Sequence, residues 1–189
     1  MDIDFSRQPM KNLLLRLSLL LMLLVSAGLL VAPGRAEAVN LASCTGTHTA
    51  NWSPGLTNTA QLINVSTSSN WPVCVSLSAP LITSASSAQT FQANFSCQSL
   101  LLQTPPITWV INWNDGSTST YEFTANVNNV GTLNTTIVGT GKIIDGRYKN
   151  ANATSTFVLG NLTALLNNEC NQPAGITQVS GLSELVITP

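Results

Sequence analysis

The chain has 189 residues, and its 7 Lys and Arg against 8 Asp and Glu amount to 8% charge, where a soluble domain usually carries roughly 25%. That deficit excludes a nucleic-acid binder, which needs clustered Lys and Arg, and a charged, weakly hydrophobic disordered chain. One His and few carboxylates leave acid–base or metal chemistry little to work with.

At the N-terminus Arg7, Lys11 and Arg16 precede an uncharged, Leu-rich run from Leu17 to Ala32. Its 16 residues suit the core of a secretory signal and fall short of the ~18–20 that span a bilayer as a helix. Pro33-Gly34 interrupts the run, and Ala36-Glu37-Ala38 has the small-x-small form read by signal peptidase. Cleavage is therefore expected between Ala38 and Val39, making residues 1–38 a removed signal and residues 39–189 a single secreted domain free of the membrane. Two anchored alternatives compete. An uncleaved signal could be lengthened by Leu13–Leu15, and Leu41-Ala42-Ser43-Cys44 has the local form of a lipobox that would lipidate Cys44. A lipobox normally abuts the apolar core, whereas Pro33 to Asn40 intervenes here and carries Arg35 and Glu37.

The 151 residues after the cleavage point keep only 8 charges, net −2, but hold 57 Ser, Thr and Asn. Neutral hydroxyls and amides thus replace charge on the surface. All four cysteines, Cys44, Cys74, Cys97 and Cys170, lie in this part, without a C-x-x-C pair or a His partner for a metal. An even count in an exported chain reads as two disulfides. Of the possible pairings, Cys44–Cys74 with Cys97–Cys170 is preferred, because the first two flank the first strand candidates as a local unit.

Strand candidates then follow at roughly ten-residue spacing. Thr45–Asn51, Thr59–Ser66 and Val73–Ser78 come first, with Pro54-Gly55 as a turn. From Phe91 to Cys97 apolar and polar residues alternate, the period of a strand with one buried face. Ile107–Trp113 places Trp109, Ile111 and Trp113 on one face, which predicts core positions. Asn114-Asp115-Gly116-Ser117 predicts a hairpin turn, since Asp-Gly readily takes the positive φ of a type I′ turn. Its partner strand alternates Tyr121, Phe123, Ala125 and Val127 with Glu122, Thr124 and Asn126. Leu133–Thr140, Lys142–Asp145, Ala153–Leu159 and Ser183–Thr188 complete the set. Turns are expected at Gly139-x-Gly141, Asp145-Gly146 and Gly175, a bulge at Val179-Ser180-Gly181, and a helical turn at Leu162–Leu166. About eight to ten strands predict an all-β domain, an antiparallel β-sandwich of Ig-like or jelly-roll-like form, with a closed barrel as the alternative topology.

The order Cys44-x-Gly46, Pro54-Gly55-Leu56, Cys74, Cys97, Trp113-x-x-Gly116-x-x-Ser119, Gly139-x-Gly141, Gly146, Cys170 and Val179-x-Gly181 resembles a group of small exported four-cysteine proteins of high-GC Gram-positive bacteria, usually described as secreted or hypothetical. The resemblance covers nearly all of residues 39–189 and implies secretion, two disulfides and a β-sandwich. It brings no activity, substrate or catalytic residue.

Candidate chemistry is sparse. His48, in the Thr-rich segment Thr45-Gly46-Thr47-His48-Thr49, lacks a nucleophile elbow and reads as a surface strand residue. Asp115 and Asp145 read as turn residues, while Glu122, Glu169 and Glu184 stand alone in sequence. Asn112, Asn114 and Asp115 offer too few carboxylates for calcium, which takes six to eight oxygens. Trp52 and Trp71, beside Pro54 and Pro72, are the candidates for stacking on sugar rings from an exposed surface. The expectation is a non-enzymatic extracellular protein for binding, adhesion or the envelope, with an extracellular protein or polysaccharide as partner, no nucleic acid and no cofactor. The alternatives are a carbohydrate-binding module using Trp52 and Trp71, and a pilus-type subunit that completes its neighbour's sheet.

Overall fold

Alternation of apolar and polar residues carries the chain through eight antiparallel strands. They are β1 (Ala42–Leu56), β2 (Gln61–Ser76), β3 (Ala85–Phe95), β4 (Ile107–Trp113), β5 (Thr118–Val130), β6 (Asn134–Gly146), β7 (Asn152–Gly160) and β8 (Ile176–Thr188). The structure is a computed structural model that describes residues 40–98, 106–130, 134–160 and 168–189. The expected signal, its Ala38–Val39 cleavage point and the helical turn at Leu162–Leu166 lie outside the described residues. Among those described, no helix is long and apolar enough to cross a membrane.

Each strand pairs with the next, and β1 pairs with β8 from Ala42 opposite Ile187 to Asn51 opposite Gln178. The sheet therefore closes into an eight-stranded barrel, which corrects the expected Ig-like or jelly-roll-like sandwich. Alternation shows that one face of a strand is buried. It does not show whether that face meets a second sheet or the far wall of its own sheet, and here it is the latter. Long strands also replace several of the expected short ones. Thr59–Ser66 and Val73–Ser78 largely fall within β2, and Leu133–Thr140 and Lys142–Asp145 largely merge into β6.

The Gly139-x-Gly141 pair does not turn the chain. It lies mid-strand in β6, and a Cβ on Gly139 would stand 2.7 Å from the Phe123 ring and 2.5 Å from Ser155 Oγ. These glycines make room for the neighbouring strands, Gly139 for the Phe123 ring of β5 and Ser155 of β7, and Gly141 for the backbone of β5 at Glu122 and Phe123. Where a turn was expected at Asn114–Ser117, the hairpin forms, and the Gly116 N–H donates to the Trp113 carbonyl at 3.0 Å; Gly116 takes φ +82° but Asp115 does not share the positive φ, so the turn is not the expected type I′.

Cys44 and Cys74 face each other directly across β1 and β2 and are disulfide-bonded. Cys97, just past β3, bonds to Cys170 in the short 3-10 turn Glu169–Asn171 before β8. With its sulfur in a bridge, Cys44 is not the lipidated residue of the lipobox alternative. The two bridges mark opposite ends of the barrel. One seam differs from the rest: β3 and β4 share only the ladder pairs Ala85–Trp113 and Ser86–Asn112.

Candidate functional site

The barrel's inward positions are apolar or aromatic with interspersed serines. Its outward positions, such as Thr45, Thr47, Ser66, Ser68, Thr108 and Thr120, are mostly hydroxyl- or amide-bearing. A barrel that spans a bilayer has the reverse pattern, with an apolar band facing lipid. With eight strands the interior is just wide enough for side chains to fill or for one small ligand.

The end marked by Cys44–Cys74 is filled. Trp71 Nε1 donates to Ser183 Oγ at 3.0 Å, and Trp113 Nε1 donates to Ser119 Oγ at 2.9 Å. Ser119 Oγ in turn donates to the Arg147 carbonyl at 2.6 Å, and Arg147 pairs with Asp115 beneath it. The Tyr121 hydroxyl donates to the Gly139 carbonyl at 2.9 Å, and burial pushes its pKa up to about 12. Each large polar-tipped ring thus finds the partner that burial demands.

A run of rings crosses the middle of the barrel. Tyr121 stacks on Phe123 (centroids 4.5 Å apart), Phe123 meets Trp109 edge-on (5.1 Å), and Trp109 stacks on His48 (5.6 Å). Phe157 packs against both His48 (4.4 Å) and Trp109 (5.7 Å), so the three rings form a triangle. His48 is 7% exposed, so the surface position expected for it is wrong. The phase of β1 explains this, because Ala42, Cys44, His48, Ala50 and Trp52 all fall on its inward face. His48 Nδ1 lies 2.8 Å from Ser69 Oγ, and burial lowers its pKa to about 4. The ring is therefore neutral at ordinary pH. Ser69 is only 1% exposed and, unlike His48, does not line the cavity beyond the ring layer.

Beyond this ring layer, toward the Cys97–Cys170 end, the interior is not filled. A cavity of about 90 Å³ lies between β1, β6, β7 and β8, lined by His48, Ala50, Trp52, Ile137, Phe157, Leu159 and Val179. Its wall is apolar apart from the neutral imidazole. Sequence reading missed this site because it placed His48 and Trp52 on the surface, and because the other lining residues look like ordinary core. Only the closure of β8 onto β1, which sets Val179 opposite Ala50, brings them together.

Trp52 and Trp71 do not offer a surface platform for sugars. Trp52 is 6% exposed and lines the cavity, while Trp71 is 1% exposed and packed in the filled end. Trp109 and Trp113 are buried, the core positions expected of them. Asn114 Oδ1 accepts the backbone N–H groups of Thr83 and Ser84, and Asp115 Oδ1 accepts from Ser117, so both are engaged in local turn geometry. Among the described residues no group of three or more His, Cys, Asp or Glu is placed to hold a metal. Comparison with protein-family models, curated proteins and solved structures finds no match to this chain.

Proposed function

We propose that the barrel is the binding domain of an exported, non-enzymatic protein, and that its cargo is a small apolar molecule or the apolar end of a larger one. The observation that carries this reading is the cavity of about 90 Å³, walled by Ala50, Trp52, Ile137, Phe157, Leu159 and Val179 inside a closed barrel. Empty apolar cavities stay dry and take up apolar guests, and one of about 150 Å³ accommodates benzene. The space here is smaller, which favours a short alkyl terminus over a whole drug-sized ligand. The two disulfides suit an oxidising, extracellular setting for such a carrier.

The test is a titration with straight-chain alcohols from propanol to octanol, read through tryptophan fluorescence. Each methylene that enters the cavity should add about 0.8 kcal/mol, or about fourfold in affinity. Affinity should then level off once the chain outgrows the space. No saturable binding, or a rise that never levels, contradicts a bounded internal site.

A further inference from the structure

Two residues lining the cavity carry a side-chain nitrogen, His48 and Trp52. His48 commits Nδ1 to Ser69 Oγ at 2.8 Å. Among the described residues, neither His48 Nε2 nor Trp52 Nε1 has a hydrogen-bond partner. Nor is either nitrogen sealed, because the fully enclosed side-chain polar atoms without a partner are Ser87 Oγ and Thr135 Oγ1 alone. Trp109, Phe157 and Ser69 pack around the buried His48 ring, and the free space it borders is the cavity.

Hydrogen-bond accounting places the imidazole proton. Ser69 Oγ is buried, and Ser87 Oγ, opposite it on β3, bonds nothing among the described residues. The acceptor left for the Ser69 hydroxyl is His48 Nδ1. A proton on Nδ1 would instead strand the hydroxyl's own hydrogen in the interior, which is costly. With Ser69 donating, Nδ1 accepts and the proton stands on Nε2, open to the cavity. Trp52 Nε1 is a donor only. Both nitrogens on the wall thus donate, and no lining side chain offers an acceptor. None carries charge at neutral pH either, since burial keeps the imidazole uncharged.

We propose that the cavity selects a short neutral molecule with one hydrogen-bond acceptor, a ketone, ester or ether oxygen, which receives the Nε2–H of His48 while the alkyl part lies among Ala50, Ile137, Leu159 and Val179. This names the ligand class of the binding site proposed above and rests on that reading. A hydrocarbon of the same shape fits but leaves the donor unpaired. A carboxylate of the same length is rejected, because it would lose its water and meet no cation.

The test is NMR on the isotope-labelled, full disulfide-bonded protein, in which His48 is the single His and its imidazole signals are unambiguous. Butanone is the probe. The methylbutene of the same skeleton, with a methylene in place of the oxygen, is its match, and butyrate is the charged control. The free protein should show the Nε2–H form. Butanone should move the Nε2 resonances and the Leu159 and Val179 methyl signals in a saturable way, methylbutene the methyl signals alone, and butyrate neither. In His48→Leu, butanone should bind at least about fivefold more weakly while methylbutene is unaffected. The parent spectra decide the matter even if that variant does not fold. An Nδ1–H form, butanone that moves the methyls but not Nε2, equal losses for both probes in the variant, or butyrate binding as well as butanone overturns the proposal and leaves the cavity as a binding site. Methyl signals that none of the three moves overturn the site itself.

Discussion

His48 and Ser69, side by side on β1 and β2, are joined through Nδ1 and Oγ at 2.8 Å inside a ring of aromatic side chains. Burial rather than a charged neighbour holds the imidazole at a pKa of about 4, against 6.5 when exposed. Between these values the unfolded chain takes up a proton that the folded one refuses. Stability is therefore full above about pH 6.5 and declines as pH falls toward 4, by about 3 kcal/mol in total. Urea unfolding at pH 7 and pH 4.5 measures the difference, and His48→Gln should abolish most of it. Asp115 and Asp145 do not confuse this window. Hydrogen bonds from Ser117 hold Asp115 below the usual carboxylate range, and Lys149 does the same for Asp145.

Trp71 and Ser183 link β2 to β8 across the filled end through a buried 3.0 Å hydrogen bond. Trp71→Phe leaves the Ser183 hydroxyl without its donor and opens space beside it. Chemical denaturation should show a loss of about 2–4 kcal/mol. Ser183→Ala should cost less, because only the small acceptor is removed. Equal stability of both variants with the parent would contradict this placement of Trp71.

Gly139 is required by space. An added methyl would meet Phe123 and Ser155, and Phe123 cannot retreat without disturbing its stack on Tyr121. Gly139→Ala should therefore destabilise the barrel by about 1–3 kcal/mol. Gly116→Ala is a useful contrast. Nothing crowds its Cβ position, and its cost comes from the φ of +82°.

The two disulfides should differ in weight. Cys97–Cys170 closes a separation of 73 residues and Cys44–Cys74 one of 30. Chain entropy assigns about 4.4 and about 3.6 kcal/mol to loops of those sizes. The Cys97→Ser/Cys170→Ser double variant should accordingly lose more stability than Cys44→Ser/Cys74→Ser, as measured by urea unfolding.

Much of the local structure was legible in the residues. Trp109, Ile111 and Trp113 alternate into the core, Asp115-Gly116 turns the hairpin, and the strand character of the chain shows throughout. What was not legible depends on contacts between distant parts. The pairing of Ala42 with Ile187 decides barrel against sandwich, and no local signal in either segment encodes it. Gly139 resembles a turn residue until Phe123 is seen against it. His48 could have been placed inside, because it shares the phase of Cys44, Ala50 and Trp52. Its Thr neighbours gave the segment a surface appearance. The cavity itself was beyond reach, since a void is a property of how four strands converge.

The central claim is that the barrel interior is the binding site, and filling it tests this most directly. Hexanol binding should be measured by calorimetry for the parent and for Ala50→Phe, whose ring would occupy the cavity beside Val179. Val179→Phe serves as a second filling variant, and thermal unfolding verifies that each is folded. The account predicts saturable one-to-one binding by the parent and at least a tenfold loss in a folded filled variant. Undiminished binding by the folded filled variants would contradict it.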